Sequence, residues 1–335
     1  MTRNNLDAVR FVAAGMVLYG HSFVFLGLRE PVFLSWTPLG PLGVFIFFTI
    51  SGYLVSESWD RDPNLWRFAV RRALRIFPGL IVCVLLTILV LGPIMTTLSI
   101  RDYFAHGATL GYLRNVALYI VYSLPGVFEH NKFPIAVNGS LWSLPVEFTM
   151  YIVVALIGLL RGNRWVLLAL ALVSAAITFF WASRTEQLIV VYGFDLRQVF
   201  LCGTYFWAGA VLYKFDCKRW LTLSNAMMAV LLLLCLEPWT RALTAAAWIL
   251  LPVAVLAFGF ASSPVLAWLT RSGDYSYGIY IYAFPIQQSV ASLWPKLGIT
   301  QYLAVCSLAT LLLAMLSWHL VERRALMFKP KSGKR

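Results

Sequence analysis

Long apolar runs recur along the whole chain. They lie at roughly 6–28, 39–57, 77–99, 141–160, 165–182, 196–213, 220–236, 242–260, 274–294 and 299–320. A bilayer core of about 30 Å, crossed at about 1.5 Å per residue, takes about 20 residues, and each run is near that length. The pattern predicts an all-α fold, a polytopic integral membrane helix bundle of about ten transmembrane helices. An even number of crossings puts both termini on one side. The first run starts almost at once and lacks a small-residue cleavage pattern, so it reads as a first span and not as a removable signal. The longest interruption, 100–140, contains YLRNVALYIVYSL and is punctuated by Pro125, Gly126 and Pro134. It is expected to hold an interfacial or partly buried helix and to lie where it can cover an outward-facing site.

Composition agrees with this pattern. Of 335 residues, 60% are hydrophobic and 12% charged, and the mean hydropathy is +0.77. A soluble domain is about half apolar and about a quarter charged. No polar stretch is long enough to bury a core of its own. The organisation expected is one transmembrane domain, 1–328, and a basic tail, 329–335, acting as a solvated cytoplasmic anchor near anionic lipid. The five cysteines form no CxxC pair and mostly sit in apolar runs, where they read as small apolar helix residues. His106, His130 and His319 lack carboxylate or cysteine neighbours at ligand spacing, so no metal site is expected.

The net charge of +13 raises the question of nucleic acid, and topology answers it. With the N-terminus in the cytoplasm, inside segments hold 19 of the 27 cations, Arg3, Lys334 and Arg335 among them, and outside segments hold 8. That is the positive-inside bias, and it accounts for most of the excess without a nucleic-acid partner. Both termini are therefore expected in the cytoplasm.

Ionisable residues inside spans are expensive and usually face the bundle interior. Arg10 and His21 are eleven residues apart. At 100° per residue that is about 20° beyond three full turns, so they share one face, about 16 Å apart along the axis. Asp7 can pair with Arg10 on that face. In RFAVRRALRIFPG, Arg67, Arg71, Arg72 and Arg75 fall at helical spacings, with Arg71 and Arg75 on one face. On charge alone this is a topological anchor; as guanidinium forks, which bind phosphate oxygens in pairs, it is a phosphate grip that Arg10 can join. Glu147, in NGSLWSLPVEFTMY, is a carboxylate well inside an apolar run and needs a cation, a hydrogen bond or a proton. His21 is its candidate partner, and Pro145 is expected to loosen the helix start. Ser51 and Gly52 are small enough for close helix packing. Asp274 is expected to cap a helix, and Glu322 to form a surface pair with Arg323 and Arg324.

These features resemble the membrane acyltransferase type 3 family over nearly the whole chain. The resemblance rests on the arginine, ten residues, histidine pattern in NNLDAVRFVAAGMVLYGHS, on GVFIFFTISGYL, on Arg72-Ala-Leu-Arg75 followed by Ile-Phe-Pro, on LWSLPVEFTMY, on YSYGIYIYAFPI and on WHLVERRAL around Glu322. It is to the stand-alone type, without an extracytoplasmic hydrolase-like domain. Many relatives carry a histidine where this chain has Ala283, so that helix receives no histidine role.

The resemblance implies transfer of an acyl group, usually acetyl, from cytoplasmic acyl-coenzyme A to a hydroxyl of an exported or cell-surface carbohydrate or its lipid-linked precursor. It implies the plasma (bacterial inner) membrane, with polysaccharide-assembly proteins as further partners. It implies acetyl-coenzyme A as the donor and no permanently bound cofactor. By this resemblance Arg10, Arg71, Arg72 and Arg75 hold the coenzyme phosphates, and His21, oriented by Glu147, is the base. Ser51 stands between an oxyanion donor and a packing residue, and both direct transfer and an acetyl-histidine intermediate are open. Two other classes suit buried Arg, His and Glu: a proton-coupled carrier of carbohydrate or acyl groups, and a non-catalytic component of a polysaccharide-export assembly.

Overall fold

The computed structural model describes residues 4–269 and 271–331, the side chains of 267–269 aside. Arg3, Lys334 and Arg335, counted above as cytoplasmic cations, lie outside the described residues, as does the rest of the tail beyond residue 331. Ten long helices stand where the ten apolar runs predict them. They are α1 Leu6–Phe25, α2 Leu39–Arg61, α3 Leu65–Leu86, α4 Ser143–Leu159 and α5 Arg164–Ile177, then α6 Leu196–Lys214, α7 Leu223–Cys235, α8 Thr240–Phe260, α9 Ser276–Leu293 and α10 Ile299–Ser317. Among the described residues seven are long and apolar enough to cross a membrane: α1, α2, α3 continued to Met95, α4 preceded by a turn from Gly139, α5 continued to Ala182, α8, and α10 continued to Leu326. The other three depart for visible reasons. Helix α7 has 13 residues, and α9 carries the fully buried Gln287 and Gln288, while α6 includes Arg197, Gln198 and Lys214. The protein is a polytopic helical membrane protein. Among the described residues strand is confined to two short antiparallel pairs, Val32–Phe33 with Thr37–Pro38 and Val190–Val191 with Phe194–Asp195.

Helix starts follow local chemistry. Asn64 accepts the Arg67 N–H at 2.9 Å to open α3, and Asp195 accepts the Arg197 N–H at 3.0 Å to open α6. Pro145 does not loosen α4: it lies in the first turn, where an N–H has no intrahelical partner to lose.

Helix α2 packs between α1 and α6, and α1 also packs on α9. Glycine makes this closeness possible. A Cβ at Gly52 would stand 1.8 Å from the Phe206 carbonyl oxygen, and one at Gly43 would stand 2.5 Å from the Ala13 carbonyl oxygen. All five cysteines are unpaired.

The segment between α3 and α4 folds onto one end of the bundle. Short helices Ile100–Ala105 and Gly107–Gly111 lead into a tight turn, Tyr112–Ala117, which ends where Leu118 takes a φ of 62°. The helix expected over YLRNVALYIVYSL therefore covers only its first part. Asn115 is the reason: its amide donates to the Tyr112 and Val121 carbonyls and accepts the Val121 N–H, turning the chain out of the helix. Gln288 of α9 donates to the Phe133 and Ala136 carbonyls, and Lys132 donates to the Leu26 carbonyl at the end of α1. The segment is thus tied down as a cover.

Candidate active site

Arg10 lies in the first turns of α1 and lines a cavity between α1, α2, α3, α4 and α9. Arg72 and Arg75 reach the same cavity from α3, Ser51 from α2 and Glu147 from α4. Three of the four arginines predicted to bind phosphate therefore converge. Arg71 does not. It pairs at 2.6 Å with Asp62, which also holds Arg67 at 2.6 Å. Arg71 is one turn nearer the start of α3 than Arg75, level with the α2–α3 link, where the buried Asp62 captures it.

The three cations in the cavity are not equally engaged. Arg75 pairs with Asp274 at 2.7 Å, and Arg10 lies 3.3 Å from Asp7 and 3.9 Å from Asp274. Asp274 is thus a bridge between two arginines as well as a cap on the Ser276 N–H. Arg72 has no ion pair among the described residues. Its guanidinium lies 5.8 Å from the Phe68 ring and 5.7 Å from the Tyr151 ring, and its Nε is buried without a hydrogen-bond partner. A half-buried cation inside the bundle without a carboxylate is poorly compensated, which suits a site that receives an anion.

Glu147 accepts from Ser51 Oγ at 2.5 Å and from Tyr151 Oη at 2.6 Å, both on Oε1. Among the described residues no hydrogen bond joins it to His21. The expected His21–Glu147 pair is therefore corrected: α4 turns Glu147 toward the arginines. Ser51 points to the same carboxylate, so its hydroxyl proton is committed there and not beside His21. Glu322 also differs from expectation. It is 3% exposed, accepts from Ser317 Oγ at 2.7 Å, and has a second oxygen buried without a partner. The wide turn Trp318–Glu322 rotates it inward, away from a surface pair with Arg323 and Arg324. Lys329, expected in a solvated tail, lies close enough to the arginines that burial and the charges of Arg75, Arg72, Arg10 and Arg71 push its ammonium down to about 8.

His21 lines two other cavities. The first is walled by α1, α2, α6 and α9, with Trp142 from the turn before α4. The second is roofed by Phe133, Pro134 and Ile135 of the covering segment, so that segment does cover a histidine-bearing space. The His21 ring stands edge-on to Phe25 at 6.0 Å and to Phe284 at 5.5 Å, and its Nδ1 is buried without a partner.

Sequence reasoning missed one neighbour of this histidine. Glu30, in the α1–α2 link, accepts the Gly40 N–H at 2.7 Å. The position a Cβ would take on Gly40 lies 3.0 Å from Glu30 Oε1 and 3.9 Å from His21 Cδ2. Burial raises the Glu30 carboxyl above the usual range, opposed by the Gly40 N–H. Nothing in LREPVF announces this, because a loop's return path has no periodicity.

Arginines gathered at one end of α1 and a histidine in separate spaces further along it put ionisable groups inside an apolar bundle, which marks a candidate site. A family model described as an acyltransferase domain matches residues 3–319. The chain belongs to the membrane acyltransferase type 3 family, and it is an O-acyltransferase. It is similar to an O-acetyl transferase of Shigella phage Sf6, 32% identical over 330 residues, covering 96% of each chain. It is also similar to nodulation protein 10 of Rhizobium leguminosarum bv. viciae, 30% identical over 97% of this chain and 93% of that one. A third relative is the peptidoglycan O-acetyltransferase OatA of Listeria monocytogenes, 26% identical over 86% of this chain and 51% of that one. No solved structure matches the chain significantly.

Proposed function

We propose that this protein transfers an acetyl group from cytoplasmic acetyl-coenzyme A to a hydroxyl of an exported or cell-surface carbohydrate, in the plasma (bacterial inner) membrane. The observation that carries the reading is the order of spaces along α1: Arg10, Arg72 and Arg75 share one cavity, and His21 opens to the next two. Arg72, half-buried without an ion pair, and Arg10 and Arg75, joined through Asp274, take the coenzyme phosphates. The pantetheine arm follows α1 toward His21. Such an arm spans the about 16 Å that eleven helical residues set between the two.

At His21 the acceptor hydroxyl attacks the thioester carbonyl carbon. Its proton passes to the imidazole as the C–O bond forms. The tetrahedral oxyanion collapses, the C–S bond breaks, and the thiolate takes the proton back from the imidazolium. The products are an O-acetyl ester and free coenzyme A. Glu147 stays at the donor end in this scheme and holds the hydroxyls of Ser51 and Tyr151. Relatives whose names specify O-acetyl transfer, one of them on peptidoglycan, support a carbohydrate acceptor.

The test is reconstitution in vesicles, with labelled acetyl-coenzyme A on the arginine side and mixed exported glycans on the other. Wild type should label glycan, and a folded His21→Ala variant should lose about 100- to 10,000-fold in rate, the range of general base catalysis. Near-normal transfer by His21→Ala overturns the assignment of the base. Glycan moved without any acyl donor favours the carrier.

A further inference from the structure

The donor cavity and the first His21 cavity meet at two side chains. Val44 of α2 and Tyr280 of α9 are the residues that line both. We propose that Val44 and Tyr280 form a fixed throat between the donor and acceptor spaces, and that its cross-section selects small unbranched acyl groups. This rests on the donor reading above, because only a donor held by the arginines must send its acyl end through the throat to reach His21.

Both walls are held from behind. Tyr280 donates its hydroxyl to the Ser140 carbonyl at 2.9 Å and its oxygen lies 2.6 Å from Ser143 Oγ, which donates in return. The ring also meets Phe47 edge-on at 5.8 Å. On the other side Val44 follows Gly43, whose backbone lies so close to the Ala13 carbonyl that a Cβ would stand 2.5 Å from it. Helix α2 therefore cannot retreat toward α1, and α9 is tied to the start of α4. Val44 is 6% exposed and Tyr280 is 7% exposed, so each shows little more than its cavity-facing edge. A close-packed wall yields poorly to an extra methyl group. A linear acetyl end fits past such walls more easily than an isobutyryl end, which is branched at the carbon beside the carbonyl.

The experiment uses the full chain in proteoliposomes with two variants, Val44→Phe and Val44→Ala, and two donors, acetyl- and isobutyryl-coenzyme A. Binding of free coenzyme A is measured alongside transfer. Val44→Phe should bind coenzyme A within about twofold of wild type, because the arginine cavity keeps its cations, yet lose about 100-fold or more in acetyl transfer. Val44→Ala should raise the isobutyryl-to-acetyl ratio by about tenfold, the scale of discrimination by one or two methyl groups. If Val44→Phe does not fold, the Val44→Ala ratio decides alone. Wild-type transfer by a folded Val44→Phe, or an unchanged donor ratio in Val44→Ala, overturns the throat while leaving the donor reading intact. A wild type that neither binds coenzyme A nor transfers from it overturns the donor reading, and the throat with it.

Discussion

Glu147 accepts the hydroxyl proton of Ser51 across 2.5 Å, joining α4 to α2 inside the arginine cavity. The carboxylate that the sequence offers as the partner of His21 is thus engaged elsewhere. This separates two variants that would otherwise look alike. Glu147→Gln should lower kcat/KM by about tenfold by raising the donor KM, because its carboxylate stands in the arginine cavity. Glu30→Gln should leave the donor KM within about twofold, because Glu30 accepts the Gly40 N–H outside that cavity. Steady-state kinetics check both. An unchanged donor KM with a lower kcat in Glu147→Gln would restore the original pairing with His21.

Arg71 and Arg72 are neighbours with different fates. Arg72→Ala should raise the donor KM by about 10- to 100-fold with a smaller change in kcat, the pattern of a lost charge-assisted phosphate contact. Arg71→Ala should leave the donor KM within about twofold and lower thermal stability, because it leaves Asp62 with one cation instead of two. Steady-state kinetics and unfolding in detergent distinguish the two. Equal effects on KM would return Arg71 to the donor site.

The Asp62 cluster makes stability depend on acid. Hydrogen bonds from Arg67 and Arg71 hold the Asp62 carboxyl well below the usual carboxylate range. Its contribution is therefore fully present above the unfolded carboxyl value of about 3.9, and is lost as pH falls from there through the lower folded value. Wild type should lose more thermal stability than Asp62→Asn between about pH 5 and about pH 2. Parallel curves would mean that the pair contributes nothing.

Close packing at Gly52 admits no substituent. Gly52→Ala would drive a methyl group into the Phe206 carbonyl and should destabilise the bundle by about 1–3 kcal/mol or more, as overpacking does. Unfolding in detergent measures it. A variant as stable as wild type would mean that α2 and α6 can move apart at little cost.

Relationships inside a single helix were legible in the sequence. The ten apolar runs, the shared face of Arg10 and His21, and the arginine series on α3 all follow from a periodicity that each helix carries in its own backbone. The family resemblance, built on such local motifs, was legible for the same reason. Relationships between helices were not. Arg71 and Arg75 share a face, yet Asp62 from the preceding link claims one and Asp274, almost two hundred residues away, claims the other. Glu322 looked exposed beside two arginines, and a wide turn carried it into the interior. Glu30 had no motif at all, because a loop brought it back to Gly40 and His21. Rotation of one helix against another is set by packing, by Gly43 on Ala13 and Gly52 on Phe206, and no single helix encodes it. Tertiary structure alone decided that the arginines and His21 open to different cavities, and that Val44 and Tyr280 stand between them.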